Sequence, residues 1–192
     1  MKKSMMISFF ALSVIFSGQA AGYSLYFATS GAAVGLNETT AVGIWVSGLG
    51  NYAAPNLGAY DLEIGFDPNV LHFESLSFSS FLGSPGSSIS SYGLKAPGVL
   101  SVWETSLLNG VLSSLQPGSF PLVSIQFTLT ALQNSSLTFL SAGLSDGDGY
   151  TLYADLQSAN VYAVPIPSSL LLLSGAALGL GAYRCKRLLS IG

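Results

Sequence analysis

The sequence predicts an all-β fold: an antiparallel β-sandwich of jelly-roll type, preceded by an N-terminal signal peptide and followed by one C-terminal transmembrane helix. Three observations predict it. Between residues 21 and 163 the chain falls into short runs of alternating apolar and polar residues, separated by clusters of Gly, Pro, Asn, Asp and Ser, which is how half-buried strands joined by turns are written. No part of that segment sustains a helical period, and its length suits one domain with its own core. Uncharged apolar runs lie at both chain ends.

Residues 23–29, rich in aromatic side chains, form the first expected strand. Residues 39–46 are rich in β-branched side chains and place Val42, Ile44 and Val46 on one face, stopping at Gly48-Leu49-Gly50. After a polar loop over 51–56, residues 59–66 set Leu62, Ile64 and Phe66 against Asp61, Glu63 and Gly65, the cleanest alternation in the chain. Asp67-Pro68-Asn69 then makes a turn, because Asp accepts backbone N–H groups and Pro fixes φ. In strict alternation the strand over 70–78 opposes Leu71, Phe73, Ser75 and Ser77 to Val70, His72, Glu74, Leu76 and Phe78. The Ser/Gly-rich stretch over 79–98 reads as a long surface loop with short strand pieces. Residues 99–105 form a strand, 107–115 hold one short helical turn, and Gln116-Pro117-Gly118-Ser119 is a tight turn. Over 120–132, Leu122, Ser124, Gln126 and Thr128 alternate with Val123, Ile125, Phe127 and Leu129. Residues 137–142 and 151–164 supply the last strands, for eight or nine in all.

Met1-Lys2-Lys3, the apolar run over 5–16 and the small residues Ser17-Gly18-Gln19-Ala20-Ala21 have the form of a secretory signal peptide over 1–20, cut after Ala20. At the other end, Val164-Pro165-Ile166-Pro167 precedes an apolar run over 168–183 and the basic residues Arg184, Lys186 and Arg187. Sixteen helical residues span about 24 Å, short of a hydrocarbon core of roughly 30 Å unless the basic side chains snorkel. Positive charge on the distal side alone places the last residues in the cytoplasm and residues 21–163 outside. In that outer segment nine acids face one base, Lys95, a net charge of minus eight that argues against nucleic-acid binding. The single cysteine, Cys185, lies in the tail beside the bases, so the domain has no intrachain disulfide and rests on core packing.

Catalytic and cofactor signatures are sparse. His72, the one histidine, suits a half-exposed strand position better than a base. Asp61 and Glu63 share a strand face about 7 Å apart, a spacing open to a glycosidase pair but usual for solvated acids. Asp146-Gly147-Asp148-Gly149 resembles half of a calcium loop, yet Gln157 stands where an EF-hand needs Glu, and a hairpin turn is the better reading. Asn37-Glu38-Thr39 and Asn134-Ser135-Ser136 match the glycosylation pattern, a three-residue motif short enough to arise by chance. Gly175 and Gly179 give a helix-packing spacing in the tail. Trp45, Tyr52, Tyr92, Trp103 and Tyr150 are aromatics able to stack on sugar rings if exposed. No catalytic residue, metal site or cofactor is assigned.

The terminal segment over 164–192 resembles the PEP-CTERM sorting signals of exported bacterial proteins, with Val164-Pro165-Ile166-Pro167 in place of the usual Val-Pro-Glu-Pro and Arg184, Lys186 and Arg187 as the basic stop. The resemblance implies processing near Pro165–Pro167 by an exosortase-type membrane enzyme in a Gram-negative, exopolysaccharide-secreting bacterium, with transient inner-membrane anchoring before release to the envelope surface or matrix. The segment over 21–163 resembles cohesin-like domains in Tyr60-Asp61-Leu62-Glu63-Ile64-Gly65-Phe66-Asp67-Pro68-Asn69-Val70-Leu71, Phe81-Leu82-Gly83 and Leu115-Gln116-Pro117-Gly118-Ser119-Phe120. That implies a non-enzymatic surface or matrix protein that binds a dockerin-like module or, as in carbohydrate-binding relatives of the fold, polysaccharide. The alternatives are a structural matrix protein without a ligand and a glycan-acting enzyme using Asp61 and Glu63.

Overall fold

Alternation in the sequence becomes two five-stranded sheets packed face to face. The computed structural model describes residues 22–29, 34–108 and 110–164; the signal-peptide region, Pro165, Ile166, Pro167, the apolar run over 168–183 and the basic residues after it lie outside the described residues. The strands are β1 (Tyr23–Thr29), β2 (Thr39–Ser47), β3 (Ala59–Gly65), β4 (Leu71–Phe78), β5 (Ser88–Ala96), β6 (Val99–Ser106), β7 (Ser119–Leu129), β8 (Ser135–Ser145), β9 (Ala154–Gln157) and β10 (Ala159–Val161), with one turn of helix, α1 (Leu112–Leu115), between β6 and β7. One sheet has the order β4-β7-β2-β1-β9 and the other β10-β8-β3-β6-β5.

Leu25 and Phe27, Val42, Ile44 and Val46, and Ile125, Phe127 and Leu129 point inward from the first sheet, and Tyr60, Leu62 and Ile64, Leu100 and Val102 from the second. They form one continuous core. Each such side chain contributes about 1.5 to 3 kcal/mol by leaving water.

Several sequence expectations are corrected. The stretch over 79–98 is a loop only as far as Ser87; β5 then runs for nine residues as the edge of the second sheet. It returns to β6 through Pro97-Gly98, where Gly98 takes φ 76° and a Cβ would lie 2.5 Å from the Phe66 carbonyl oxygen. β5 escaped the sequence pattern because an edge strand exposed along nearly its whole length needs no apolar face. Strict alternation also fails in β4, where the pairing with β7 slips between Phe73 and Ser75. The bulge at Glu74 brings Leu71, Phe73, Leu76 and Phe78 to the same side. In β7 a slip opposite Ile44 and Trp45 buries the consecutive Leu122 and Val123. The sandwich is not wholly antiparallel, since β9 pairs with β1 in parallel. The last segment is two strands in two sheets: β9 extends the first, and after Ser158 β10 pairs with β8 in the second.

Gln116 fixes the loops at one end. Its fully buried amide accepts the Leu57 N–H (2.7 Å) and donates to the carbonyls of Leu57 (2.8 Å) and Phe81 (3.1 Å). The segment entering β3 and the loop after β4 thus share one side chain that satisfies their buried peptide groups. Gln116→Ala orphans three backbone groups and is expected to lower the unfolding free energy by about 3 kcal/mol in urea titration.

Glu104, on β6, is the one charged side chain buried among the described residues, at 1% exposure. The Tyr60 hydroxyl donates to its Oε2 at 3.0 Å. Burial pushes the Glu104 carboxyl above the ordinary glutamate value of 4.5, with hydrogen bonds from Ser88 and Tyr60 pulling the other way. Burial, then the Glu104 charge, drives the Tyr60 phenol upward, so it stays a donor. Between the unfolded and folded values the folded protein therefore keeps a proton on Glu104 that the unfolded chain gives up. This contribution to stability is complete below 4.5 and is lost as the pH rises through the folded-state value. In urea melts from about pH 4 to about pH 8, Glu104→Gln is expected to gain stability on the parent as the pH rises; a pH-independent difference would contradict the assignment.

Candidate docking face

The outer face of the β10-β8-β3-β6-β5 sheet carries most of the side chains the sequence singles out. Outward positions of β3 are Asp61, Glu63 and Gly65, since Tyr60, Leu62 and Ile64 go to the core. Register then assembles two rows across the sheet: Gly143, Asp61, Trp103 and Ser91, and beside it Ser141, Glu63, Ser101 and Gly93. Trp103 sits near the centre at 37% exposure. Its neighbours on this face are Asp61 and Ser91 across the strands and Ser101 and Thr105 along β6, all shorter than the indole. At the far corner a slip in the β3–β8 register puts Leu140 over Gly65, where a Cβ would come within 3.1 Å of the leucine.

Two shallow depressions flank the indole. One, of about 390 Å³, is bordered by Asp61, Trp103, Thr105, Gly143 and Thr151. The other, of about 420 Å³, is bordered by Asp61, Glu63, Ser91, Lys95 and Trp103. Lys95 reaches over the second to form a hydrogen-bonded ion pair with Glu63, the only salt bridge among the described residues. Water screens this exposed pair, so it orders the two side chains more than it stabilises the fold. The Glu63 hydrogen bond and charge push the Lys95 ammonium upward and keep it charged. Asp61 presents its carboxylate beside the indole and takes no part in that ion pair.

The remaining candidates are dispersed. His72 is exposed on β4, away from this face. Trp45 lies on the outer side of the other sheet, stacked on Tyr26 at 6.5 Å and covering Gly43. Tyr92 closes the sandwich edge, its ring 6.0 Å from those of Phe73 and Phe78. Tyr52 and Tyr150 are exposed on loops. Asp146 makes a turn, its Oδ1 accepting the N–H groups of Asp148 (3.0 Å) and Tyr150 (2.8 Å). Asn37 is a turn residue at φ 63°, and the Asn134 amide oxygen accepts the Ala163 N–H. Val164 donates its N–H to Val34, the last hydrogen bond of the described chain. The sequence placed Gln116 only in a turn and Glu104 only on a strand; their buried roles depend on partners 59 and 44 residues away.

No family model matches the sequence, and no curated protein is significantly similar to it. Solved structures are similar in fold. The sixth cohesin of scaffoldin B from Acetivibrio cellulolyticus, in complex with a Cel5 dockerin mutant, superposes with a TM-score of 0.62 at 15% identity, covering 74% of this chain and 99% of that one. A type I cohesin from Clostridium thermocellum, in complex with a dockerin, gives 0.59 at 13% identity over 74% and 99%. A non-cellulosomal cohesin from the archaeon Archaeoglobus fulgidus gives 0.58 at 18% identity over 78% and 96%. The described residues therefore adopt a cohesin-like two-sheet sandwich.

Proposed function

We propose that this chain is an exported, non-catalytic binding module that docks a dockerin-like partner on the outer face of β8, β3, β6 and β5. The observation that carries this is the uncovered face itself: a central indole, an adjacent free carboxylate and small neighbours that let another surface approach closely. Aromatic anchors, tryptophan above all, supply much of the binding energy in protein interfaces. With nine acids against one base in the outer segment, the domain favours a partner of opposite charge and speeds its approach. Two of the similar structures hold a dockerin, which supports the partner class. The enzyme alternative has less support, because Glu63 is held by Lys95 and both acids lie on an open face that does not exclude water.

Export and sorting complete the proposal. The signal-peptide pattern over 1–20 and the segment from Val164 to Arg187 support delivery through the inner membrane, cleavage by an exosortase-type enzyme, and a final location at the envelope surface or matrix of a Gram-negative bacterium. Val164, the last described residue, hydrogen-bonds to Val34, and the Pro165-Ile166-Pro167 segment follows it directly in the sequence.

Titration of the full chain against each dockerin-type module encoded in the host is expected to give one saturable partner. Asp61→Lys combined with Trp103→Ala should weaken it at least about a hundredfold, as loss of an aromatic hot spot and reversal of a charge require, while leaving the melting temperature nearly unchanged. Absence of any binding module would leave a structural matrix role. For sorting, intact-mass measurement of the protein from its native host is expected to show a chain lacking Arg184, Lys186 and Arg187; a mature form still containing Tyr183 would mean a permanent anchor.

A further inference from the structure

The sheet opposite the docking face has an outer side of its own. Register lays one row across four of its strands: Gln157 of β9, Tyr26 of β1, Trp45 of β2 and Pro121 of β7. Tyr26, Trp45 and Pro121 point away from the core, because Leu25, Phe27, Ile44, Val46, Phe120 and Leu122 on either side of them are buried in it. The Trp45 indole leans back along β2 over Gly43, where a Cβ would lie 2.9 Å from Nε1. Tyr26 is 6.5 Å from it and within 23° of parallel. Ser24, Ser47 and Ser119 border this row on one side, and Ala28, Gly43 and Ser124 on the other. In a segment where nine acids face one base, β1, β2 and β7 contain no charged residue. The acids of this sheet, Asp155 and Glu74, are on its edge strands β9 and β4.

From this arrangement we infer that the outer face of β9, β1, β2 and β7 binds a neutral polysaccharide, laid along the row from Gln157 to Pro121. Tyr, Trp and Pro offer rigid apolar rings to the C–H faces of sugars. The groups around those rings suit hydroxyls and not charges: serine and tyrosine hydroxyls both donate and accept, the Gln157 amide does the same, and the indole N–H donates. Charge separates this ligand from the others. A nucleic acid or an acidic glycan is repelled by the surplus of acids and finds no cation on these strands. An anionic lipid surface needs basic residues that these strands lack. A basic protein is steered to Asp61 on the opposite side of the sandwich. With strands about 4.8 Å apart, the row is an open strip and not an enclosed cavity. It holds a single sugar from one side only, so binding depends on several consecutive rings. This face lies on the other sheet from the docking face, and the inference does not rest on that reading.

The test is native affinity electrophoresis of the full chain in an uncharged, sugar-free detergent, with hydroxyethylcellulose, galactomannan or dextran cast into the gel and alginate as the acidic comparison. At least one neutral polymer is expected to retard the chain in a concentration-dependent way, and alginate is not. Trp45→Ala and Tyr26→Ala should each weaken the apparent affinity at least about tenfold, as loss of an aromatic anchor requires. Trp45→Phe should weaken it less than Trp45→Ala, and Trp103→Ala should leave it unchanged. Tyr26→Ala keeps the indole over Gly43 and serves as the measurement if Trp45→Ala fails to fold. Retardation by none of the neutral polymers would overturn the inference. So would retardation that survives Tyr26→Ala undiminished, that is stronger with alginate, or that disappears in Trp103→Ala while the circular dichroism spectrum is unchanged.

Discussion

Each sheet of this molecule is apolar on one face, and burying the two faces against each other is the constraint from which the rest follows. Leu62, Ile64, Val102 and Leu100 on one side meet Ile44, Val46, Ile125 and Phe127 on the other. There is no cysteine in the described residues to share the task. Register must therefore hold strictly along the central strands, because a slip of one residue sends an entire apolar row into water. Where the sequence breaks alternation, as at Glu74 and beside Leu122, a bulge restores the inward set.

Face-to-face packing leaves two sides to be closed, and the difference between them shapes the surface. The β9–β10 crossing joins the sheets by backbone, since a strand that changes sheet at Ser158 ties both edges to one chain. The β4–β5 side has only side chains. Tyr92 reaches across to Phe73 and Phe78, and beyond it Ser88 and Ser90 of β5 border a shallow depression at the edge. The same edge strands are poor templates for pairing with another chain. β4 is bulged at Glu74, and β5 is irregular beside Lys95, with a bulge and a charge that both discourage edge-to-edge association.

Two buried polar side chains show how context decides what such groups do. Gln116 has partners for both ends of its amide and acts as a backbone substitute, tying the entry to β3 to the loop after β4. Glu104 has donors but no cation, so its charge remains a burden that rises with pH. Val164 leaves at the end of the β1–β2 connection, through its bond to Val34, opposite the end that carries Tyr52 and Tyr150.

The sequence by itself determined the class of fold, the positions of the central strands and which residues of β3 face out, because a period of two is a local property that a half-buried strand cannot avoid. It placed Asp61, Glu63 and Trp103 on strands and Asp146 in a turn for the same reason. The β5 strand stayed hidden, since Ser88-Ile89-Ser90-Ser91-Tyr92-Gly93 is exposed on an edge and carries no alternating signal. Only the tertiary structure decided that Asp61 and Trp103 are neighbours, that Lys95 lies over Glu63, and that Gln116 and Glu104 are buried. Each of those facts depends on pairing between strands far apart in the chain, and no local pattern records which strand lies beside which.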